Sequence, residues 1–292
     1  MYKRQALGHD EDPTQRPIFV FIPTVDEGPP ILAPTLRGAL AAQARYLQRF
    51  PHGRVTIVVC NDGYVAGAQQ WRATEELCRQ LGVRCVTREV GGGAKAGNIE
   101  HARQQVGGTG DALLVIFDAD QIATPDALLQ LVAPMADANV GWVQSGQYYS
   151  NLTNPVSRWA NDQQGLFYKL LCPGKAAQNA AFICGTNVML RAAALDEIGG
   201  LPQDSVTEDF AASIELHPRW RSVFLSDELA HGMGPLSLSS YFKQQGRWAT
   251  GTLSVLRTHW REIVLPQRGG LSFPQRLQYA LACTHYLSGV RD

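Results

Sequence analysis

The sequence predicts an α/β fold in which a mixed, mainly parallel β-sheet is flanked by helices. The first observation is the run Leu113-Leu-Val-Ile-Phe-Asp118-Ala-Asp120, in which large apolar residues end abruptly at two carboxylates. An unbroken apolar run is typical of a strand that helices cover on both faces. The second observation is that two similar runs, at residues 18–22 and 55–60, precede it and alternate with helical patterns. This alternation predicts parallel strands joined by helical crossovers.

Composition narrows the class of protein. The chain has 292 residues, of which 45% are hydrophobic, so it can form one large or two modest domains. The 26 basic and 26 acidic residues balance, and no charge excess points to a nucleic-acid partner. The six cysteines include no Cys-x-x-Cys pair, which indicates reduced thiols in a cytosolic setting. No stretch of 18 apolar residues is present, so the sequence predicts no membrane span.

Residues 17–270 are expected to form the folded domain. Residues 1–16 are polar and unpatterned, so we expect them to be a flexible leader. Residues 271–292 are amphipathic and increasingly apolar. This pattern is expected of a segment that leads into further parts of a longer protein.

The first two predicted strands also end at acidic loops. Pro23-Thr24-Val-Asp26-Glu27 follows the strand at 18–22, and Asn61-Asp62-Gly63 follows the strand at 55–60. Helices are predicted at 32–48 and 68–81. Because ligands in such sheets bind beyond the carboxyl ends of the strands, these groups are expected at the rim of one cleft. Asp-Gly is also a common turn dipeptide, so Asp62 fits a plain turn equally well.

Asp118 and Asp120 follow the central strand and are the candidate metal ligands. Two carboxylates at a strand exit suit Mg²⁺ or Mn²⁺, which would be shared with phosphate oxygens of a substrate. The alternative is a helix-capping turn, because Thr124-Pro125-Asp126 has the pattern of a helix start and predicts a helix at 125–138.

The segment Gly91-Gly-Gly-Ala-Lys95 resembles a phosphate-binding loop only superficially. Ala94 and Ala96 occupy the positions where a P-loop requires glycine and a hydroxyl residue. Lys95 still lies at the head of a predicted helix, at 96–105, where free N–H groups favour an anion. Lys95 is therefore either a phosphate contact or part of a solvated helix start.

The third quarter of the chain carries an aromatic stripe and a glycine-interrupted strand. Trp159, Phe167 and Tyr168 recur at helical spacing, which fits either a core helix or an amphipathic helix on a membrane or a neighbouring domain. Phe182-Ile-Cys184-Gly185-Thr186 predicts a strand that breaks at glycine, where the backbone can approach a ligand, and that continues over 188–191.

The last two motifs are placed on helices. Thr207-Glu208-Asp209 is predicted to open a helix at 209–217, where acidic residues would also complement the helix dipole. Gln244, Arg247 and Trp248 have i, i+3, i+4 spacing in a helix predicted at 239–259, so they share one face. Such a face suits the binding of a diphosphate and stacking on a sugar.

The order of these motifs resembles the processive inverting glycosyltransferases of family 2, of the cellulose synthase type, from about Ile18 to the end of the chain. The resemblance implies a GT-A-like, Rossmann-related fold and transfer from a UDP-sugar to a growing polysaccharide. The first candidate is β-1,4-glucan made from UDP-glucose. A mannan-, chitin- or hyaluronan-type product and a non-catalytic nucleotide-sugar-binding assembly module remain open. A dinucleotide-dependent oxidoreductase is disfavoured because no Gly-x-Gly-x-x-Gly follows the first strand.

The resemblance also implies a role for each matching residue. Asp209 would be the general base, and Asp118 and Asp120 would hold Mg²⁺ or Mn²⁺ at the diphosphate. The implied nucleotide-sugar-binding residues are Thr24, Glu27, Asp62, Lys95, Asp118, Gln244 and Arg247, and the implied acceptor-binding residues are Cys184, Gly185, Thr186 and Trp248. This chain departs from the usual family pattern at Gly92 and Gly93, and at the Phe-Ile-Cys-Gly-Thr motif, which is more often Phe-Phe-Cys-Gly-Ser.

The resemblance finally implies a location. In this family, membrane helices follow the catalytic domain, which lies on the cytoplasmic face of the inner membrane. We therefore expect the parent protein to associate with the membrane through segments absent from this chain, and the fragment by itself to be soluble.

Overall fold

The computed structural model describes residues 12–203 and 207–285. The strands are β1 (Pro17–Thr24), β2 (Arg54–Asn61), β3 (Arg84–Thr87), β4 (Leu113–Ile116), β5 (Ile122–Ala123), β6 (Val140–Ser145), β7 (Tyr148–Tyr149), β8 (Val188–Arg191), β9 (Arg221–Leu225) and β10 (Ala230–Gly232). The α-helices are α1 (Pro29–Arg49), α2 (Trp71–Leu81), α3 (Ala94–Val106), α4 (Ala127–Val132), α5 (Pro155–Leu166), α6 (Cys172–Ala176), α7 (Ala192–Glu197), α8 (Glu208–Leu216), α9 (Leu238–Thr258), α10 (Trp260–Val264) and α11 (Phe273–Thr284).

Seven strands form the main sheet, in the order β3-β2-β1-β4-β8-β6-β9. The pairs β3–β2, β2–β1, β1–β4 and β6–β9 are parallel, and β8 runs antiparallel to both of its neighbours. A small second sheet has the order β5-β10-β7. The prediction of a mixed, mainly parallel sheet flanked by helices is therefore confirmed.

Two apolar layers hold the helices against the main sheet. One layer joins alternate residues of β1 and β2, such as Ile18 and Val59, to α1 and α4. The other joins Phe21 and the opposite face of β4 to α3, α7 and α8. Both faces of these strands are thus buried. For this reason their sequences are continuous apolar runs and do not alternate between apolar and polar residues.

The predicted strand at 182–186 is wrong. Only β8, at 188–191, joins the sheet, and the preceding residues follow an irregular path. Gly185 and Asn187 have left-handed backbone angles, with φ of +79° and +54°, which interrupt an extended ladder.

Two predicted helices are shorter than expected. The helix predicted at 68–81 begins at Trp71, because Gly67 adopts a left-handed turn with φ of +67°. The helix predicted at 125–138 is limited to α4 and a 3-10 turn at Ala133–Ala136, where Pro134 cannot continue the α-helical hydrogen bonds.

The helix α11 packs on the domain through a third apolar cluster. Tyr279 is buried against Phe210, and its hydroxyl lies 2.5 Å from Nδ1 of His217, the residue that follows α8. The amphipathic pattern predicted for 271–292 is seen over the described part, since Phe273 and Leu281 are exposed on the other side of α11. Residues 286–292 and 1–11 lie outside the described residues. Of the predicted leader, Pro13–Gln15 form a 3-10 turn, and Arg16 contacts Asp111.

The aromatic stripe after Asn154 is divided between the interior and the surface. Tyr168 is buried, whereas Trp159 exposes 65% of its surface. The core interpretation therefore holds for Tyr168 and not for Trp159. A π-helix, Phe167–Leu171, joins α5 to α6 in this region. Within residues 12–203 and 207–285, no helix has both the length and the hydrophobicity needed to cross a bilayer.

Candidate active site

The carboxylates predicted at strand exits gather at one edge of the sheet. Thr24 at the end of β1 pairs with Asn61 at the end of β2, and the Phe117 N–H donates to the carbonyl of Phe21 at 3.1 Å. The loops that carry Glu27, Asp62 and Asp118 therefore leave three adjacent parallel strands on the same side. This arrangement agrees with the expected position of a ligand cleft in an open α/β sheet.

Asp118 is held from two directions. Its backbone N–H donates to Oγ1 of Thr186 at 2.8 Å, and its carboxylate accepts from the Lys95 ammonium. The same ammonium donates to the Gly185 carbonyl at 2.8 Å. Lys95 therefore joins the predicted metal carboxylate to the predicted acceptor segment.

Thr186 does not line the cleft. Its side chain is fully buried, and its hydroxyl holds the Asp118 backbone. The predicted acceptor contact through this side chain is thus not available in this conformation. Cys184 is half-buried, and burial raises the pKa of its thiol well above the usual value. It is therefore a neutral group at this position.

A buried polar layer below Thr186 escaped prediction from the sequence. The Gln144 carboxamide donates to the Thr186 carbonyl at 2.8 Å and accepts from the Cys184 N–H at 2.8 Å. Asn187, which is also fully buried, donates to Gln121 at 3.1 Å and to the Gly146 carbonyl at 3.0 Å. These bonds satisfy the backbone groups that the missing strand leaves without ladder partners. No local sequence signal identifies such contacts, because their partners lie between 40 and 66 residues apart in the chain.

Gly185 occupies the point of closest approach between the acceptor segment and the predicted base. A Cβ added there would lie 3.0 Å from Oδ2 of Asp209 and 3.6 Å from Nζ of Lys95. Its φ of +79° also disfavours any other residue. The spacing shows that the Asp209 carboxylate, the Lys95 ammonium and the Gly185 backbone share one small site.

Asp209 has the electrostatic properties of a general base. Removal from bulk water and the neighbouring Glu208 carboxylate raise its pKa to about 7. Its Oδ1 accepts from the Phe210 N–H at 2.8 Å, which fixes the carboxylate at the start of α8. Burial acts to lower the pKa of Lys95, but the carboxylates of Asp118, Glu208 and Asp209 outweigh it and raise that pKa. Lys95 is therefore a permanent cation beside a carboxylate that titrates near neutrality.

The carboxylates of Asp118 and Asp120 could supply only some of the ligands that a divalent cation needs. Burial, followed by the charges of Asp118 and Glu27, raises the pKa of Asp120. A cation would favour the charged form of this carboxylate. The Asp120 carboxylate also accepts from the Met233 N–H at 3.0 Å. Within the described ranges no cluster of three or more His, Cys, Asp or Glu side chains could hold a metal. Asp118 and Asp120 would thus supply two ligands, and a substrate diphosphate would have to supply others.

Thr24 and Glu27 close the loop after β1 on itself. The Thr24 hydroxyl donates to Oε2 of Glu27 at 3.0 Å, and the Val25 N–H donates to the same oxygen at 2.8 Å. Thr24 is buried, whereas Glu27 is half-buried. Of these two predicted donor-binding residues, only Glu27 therefore reaches the surface of the cleft.

Asp62 forms a buried ion pair that the sequence did not predict. Both of its carboxylate oxygens accept from the Arg88 guanidinium, and the second of these contacts is 2.8 Å long. Arg88 also donates to the carbonyls of Gly92 and Ala94, the residues that lead to Lys95. Asp62 therefore positions the glycine-rich loop through Arg88. Both oxygens of its carboxylate are engaged in this ion pair.

The Gln244, Arg247 and Trp248 face lies on α9, which is anchored near Asp209. A Cβ on Gly251 would lie 2.2 Å from Cγ2 of Thr207, so α9 crosses the start of α8 closely. One turn earlier, the exposed Arg247 acts to lower the pKa of Glu208, which burial raises.

Gln244 turns toward the Tyr149 hydroxyl, which accepts from Gln164 at 2.6 Å. Its Oε1 is buried and has no hydrogen-bond partner among the described residues. Trp248 is half-buried. The three side chains thus differ in exposure, and Arg247 is the most accessible.

The fold places a group of carboxylates beyond the ends of three adjacent parallel strands, and comparison with known proteins identifies the family. The family model described as "Glycosyltransferase like family 2" matches residues 15–251. The chain therefore belongs to glycosyltransferase family 2, and the resemblance found in the sequence is confirmed.

Several relatives carry cellulose synthase names. The chain is 32% identical to the cellulose synthase catalytic subunit [UDP-forming] of Xanthomonas axonopodis pv. citri over 94% of its length and 36% of that protein. It is 30% identical to the cellulose synthase 1 catalytic subunit [UDP-forming] of Komagataeibacter xylinus, over 96% of its length and 36% of that protein. The chain thus spans about a third of the length of these relatives.

Solved structures support the GT-A-like fold. The mannosyltransferase PcManGT from Pyrobaculum calidifontis, solved with GDP-Man and Mn²⁺, superimposes with a TM-score of 0.64 at 20% identity, over 95% of this chain and 72% of that one. Residues 1–349 of S. aureus TarS superimpose with a TM-score of 0.57 at 13% identity, over 94% of this chain and 73% of that one. At these identities the similarity establishes the fold alone.

Proposed function

We propose that this chain is the catalytic part of a processive inverting glycosyltransferase that polymerises a β-linked polysaccharide from a UDP-sugar. UDP-glucose and β-1,4-glucan are the first candidates for donor and product. The observation that carries the proposal is the site around Gly185, where a carboxylate with a pKa of about 7 faces a lysine that is bound to the strand-exit carboxylate Asp118. The cellulose synthase names of relatives at about 30% identity support the choice of donor.

In this proposal Asp209 removes the proton from the attacking hydroxyl of the acceptor. A carboxylate with a pKa near the working pH is well matched to that task. The attack breaks the bond between sugar and phosphate on the opposite side of the anomeric carbon, so one displacement inverts the configuration. A single base is sufficient, whereas glycoside hydrolases use two carboxylates that flank the bond.

Negative charge develops on the leaving nucleotide diphosphate, and fixed cations would stabilise it. Lys95 and Arg247 are the cationic side chains near Asp118 and Glu208. Mg²⁺ or Mn²⁺ held by Asp118 and Asp120 would supply further charge neutralisation at the diphosphate when bound. Gln244 would contribute its buried Oε1, which has no hydrogen-bond partner within the part of the chain that the structure describes, as an acceptor for a substrate hydroxyl.

The acceptor end of the polysaccharide would lie between the Cys184-Gly185 segment and α9. Trp248 offers a partly exposed indole to a sugar ring, and Cys184 offers a neutral thiol. Thr186 would act indirectly, by holding Asp118 and the Gly185 turn in place.

Two other functions remain as alternatives. A different donor would give a mannan-, chitin- or hyaluronan-type polymer, and no observation at the site favours one of these over glucan. A non-catalytic module that only binds a nucleotide sugar would require no base. The proximity of Asp209 to Lys95 and Gly185 favours catalysis.

We further propose that the parent protein works at the cytoplasmic face of the inner membrane. Large apolar side chains are exposed on four helices: Trp159 and Leu166 on α5, Leu170 on the π-helix, Phe242 on α9, and Phe273, Leu277 and Leu281 on α11. Contiguous exposed apolar patches mark membrane or protein interaction sites, and these residues support the proposal of such a surface on the parent protein. Membrane segments of the parent protein would cover it.

A donor screen tests the proposed function. UDP or GDP release is measured with UDP-glucose, UDP-N-acetylglucosamine, UDP-glucuronate and GDP-mannose, each with Mg²⁺ or Mn²⁺. Both the purified chain and membranes that contain the parent protein are assayed, and Asp209→Asn is the matched control. Release from UDP-glucose alone, abolished in the control, together with a cellulase-sensitive product, is the expected result. Nucleotide binding without turnover in the parent protein would favour the non-catalytic alternative.

A further inference from the structure

A single buried hydroxyl joins the proposed base to the segment Cys184-Gly185-Thr186. Ser213 lies in α8, one turn after Asp209, and its side chain is fully buried. Its hydroxyl donates to the Asp209 carbonyl at 2.8 Å and accepts from the Ile183 N–H at 2.8 Å. Because Ile183 directly precedes Cys184, one of these bonds holds the base and the other holds the acceptor segment.

The second of these bonds goes beyond the usual role of a serine within a helix. A helical serine often donates to the carbonyl four residues earlier, and that bond affects its own helix. The Ser213 hydroxyl also accepts from Ile183, which lies 30 residues earlier in the chain. Ile183 is buried in the irregular segment before β8, so its N–H is not part of a strand ladder. The bond to Ser213 satisfies this N–H, which would be costly to leave unpaired in the interior.

An aromatic contact accompanies this hydrogen-bonded link. Phe182 and Phe210, which directly adjoin the two bonded residues, meet edge to face with their ring centroids 4.8 Å apart. The Tyr279 ring of α11 lies 5.3 Å from the Phe210 ring and 6.5 Å from the Phe182 ring. The base and the acceptor segment are therefore joined twice, through Ser213 and through these rings.

Both links span the gap in which the acceptor hydroxyl would react. A Cβ on Gly185 would lie 3.0 Å from Oδ2 of Asp209, so the backbone of the acceptor segment and the carboxylate lie close together. In the proposed reaction one side of this gap holds the acceptor sugar, and the other side takes its proton. A shift of either side changes the distance between the sugar hydroxyl and the base. Misplacement by about 1 Å can lower a rate by about a hundredfold.

We propose that Ser213 is a positioning residue whose hydroxyl sets the distance between the Asp209 carboxylate and the acceptor segment, an inference that rests on the proposed function. Because its side chain is fully buried, Ser213 acts through its two hydrogen bonds and not by contact with a substrate.

The competition between two acceptors makes this role measurable. In transfer to the polysaccharide and in hydrolysis, the bond between the anomeric carbon and the phosphate oxygen breaks, a new bond from that carbon to the acceptor oxygen forms, and Asp209 takes the proton. The sugar hydroxyl is fixed by the acceptor segment, whereas a water molecule can follow a displaced carboxylate. Loss of the correct distance should therefore lower polymer transfer more than hydrolysis.

Ser213→Ala removes both hydrogen bonds and leaves the Asp209 carboxylate in place. We expect the ratio of polymer transfer to hydrolysis to fall by about tenfold, which is less than the effect of a full 1 Å misplacement because the aromatic contact remains. The KM for the donor should be unchanged, because the substitution alters no proposed donor contact. Ser213→Cys, which replaces the hydroxyl by a weakly hydrogen-bonding thiol, should show a fall in the same direction and serves as the test if Ser213→Ala does not fold.

Ser222→Ala is the matched control. It removes another buried hydroxyl from the same region, where Oγ of Ser222 lies 3.0 Å from Nε2 of His217. Among the described residues, none of the hydrogen bonds of this hydroxyl reaches Asp209 or Ile183. Ser222→Ala should therefore affect stability without a change in the product ratio.

The experiment measures polymer and free glucose formed from UDP-glucose with Mg²⁺ in membranes that contain the parent protein, and thermal unfolding of the purified variants. The product ratio does not depend on the amount of folded enzyme, so a purely structural role of Ser213 would lower both products equally. The expected result is a ratio that falls in Ser213→Ala and Ser213→Cys and persists in Ser222→Ala. A wild-type ratio in the folded Ser213 variants, or an equal fall in Ser222→Ala, would overturn the inference alone. Absence of UDP release by the wild-type protein would overturn the proposed function together with it.

Discussion

Substitution of Asp209 by asparagine tests the proposed base most directly. The change keeps the size of the side chain and the hydrogen bond from the Phe210 N–H, which lies 2.8 Å from Oδ1. It removes the group that would accept the proton. We expect turnover to fall by at least about 10²-fold, the usual loss for a positioned general base. UDP affinity should be largely retained, because the proposed diphosphate contacts of Lys95 and Arg247 remain.

The pH dependence follows from the environment of the carboxylate. Burial and Glu208 raise the pKa of Asp209 to about 7, so the wild-type rate should rise as the pH passes through about 7 and the base loses its proton. Glu208→Gln is the matched control. Removal of that neighbouring charge lowers the pKa of Asp209, so the pH profile should move to lower pH while the base itself remains.

The same shift predicts an effect on stability. The folded-state pKa of Asp209 is about 7, well above its ordinary value of 3.8, so the folded state disfavours the charged form. The destabilisation is absent below pH 3.8, grows as the pH rises, and is complete above the folded pKa. One pKa unit corresponds to about 1.4 kcal/mol. Solvent screening at this half-buried position reduces the net effect, so we expect Asp209→Asn to stabilise the fold by about 1–2 kcal/mol at pH 8.

Three measurements on the same protein decide the role of Asp209. Steady-state rates from about pH 5.5 to about pH 9, calorimetry with UDP and Mn²⁺, and thermal unfolding at about pH 5 and about pH 8 are recorded for both variants. Retained turnover in Asp209→Asn would refute the assignment of the base. A parallel loss of UDP binding and of stability would instead show that Asp209 supports the fold.

The remaining predictions concern the cation, the diphosphate and the acceptor. Asp120→Asn should abolish Mn²⁺-dependent UDP binding with the fold intact, and unchanged affinity in calorimetry would make Asp118-Ala-Asp120 a capping turn. Arg247→Ala should weaken UDP binding by about 1.5–3 kcal/mol, the range for hydrogen bonds to charged groups; no change would exclude a diphosphate contact. Trp248→Phe should preserve UDP binding but reduce polymer yield, and a fall in Tm with equal loss of both steps would identify a core residue. Gly185→Ala should lower the free energy of unfolding by about 1–3 kcal/mol and abolish most of the turnover, because φ of +79° disfavours alanine and the new Cβ would lie 3.0 Å from Oδ2 of Asp209. A Tm and a rate equal to those of the wild type would contradict the close approach.

The sequence predicted the strands β1, β2 and β4 and their exits better than the segment that precedes β8, for a physical reason. Strands β1, β2 and β4 are parallel and fully covered, so their apolar runs and their exits could be located from local pattern alone. Because the carboxyl ends of parallel strands lie on the same side of a sheet, the carboxylates that follow these strands were expected close together. The antiparallel β8 gave no such signal, because its direction depends on a long connection and not on its four residues.

Side-chain partners far apart in sequence could not be predicted. Asp62 and Arg88 are 26 residues apart, and Asp118 and Thr186 are 68 residues apart. From the local sequence alone, Asp62 fits a turn, Arg88 fits a surface cation, and Thr186 fits a strand residue. Only the folded topology shows that Asp62 is engaged in an ion pair and that Thr186 faces inward.

The buried polar layer explains why the acceptor segment keeps its irregular shape. Thr186 and Asn187 are fully buried, and a left-handed residue such as Asn187 is strained unless its surroundings fix it. Gln144 bonds the backbone on both sides of Gly185, through the Cys184 N–H and the Thr186 carbonyl. Loss of that carboxamide would leave these backbone groups unsatisfied in the interior, at about 1–3 kcal/mol each. The segment therefore cannot relax into a regular strand without losing those bonds, and the Gly185 backbone stays where the Lys95 ammonium and the Asp209 carboxylate meet.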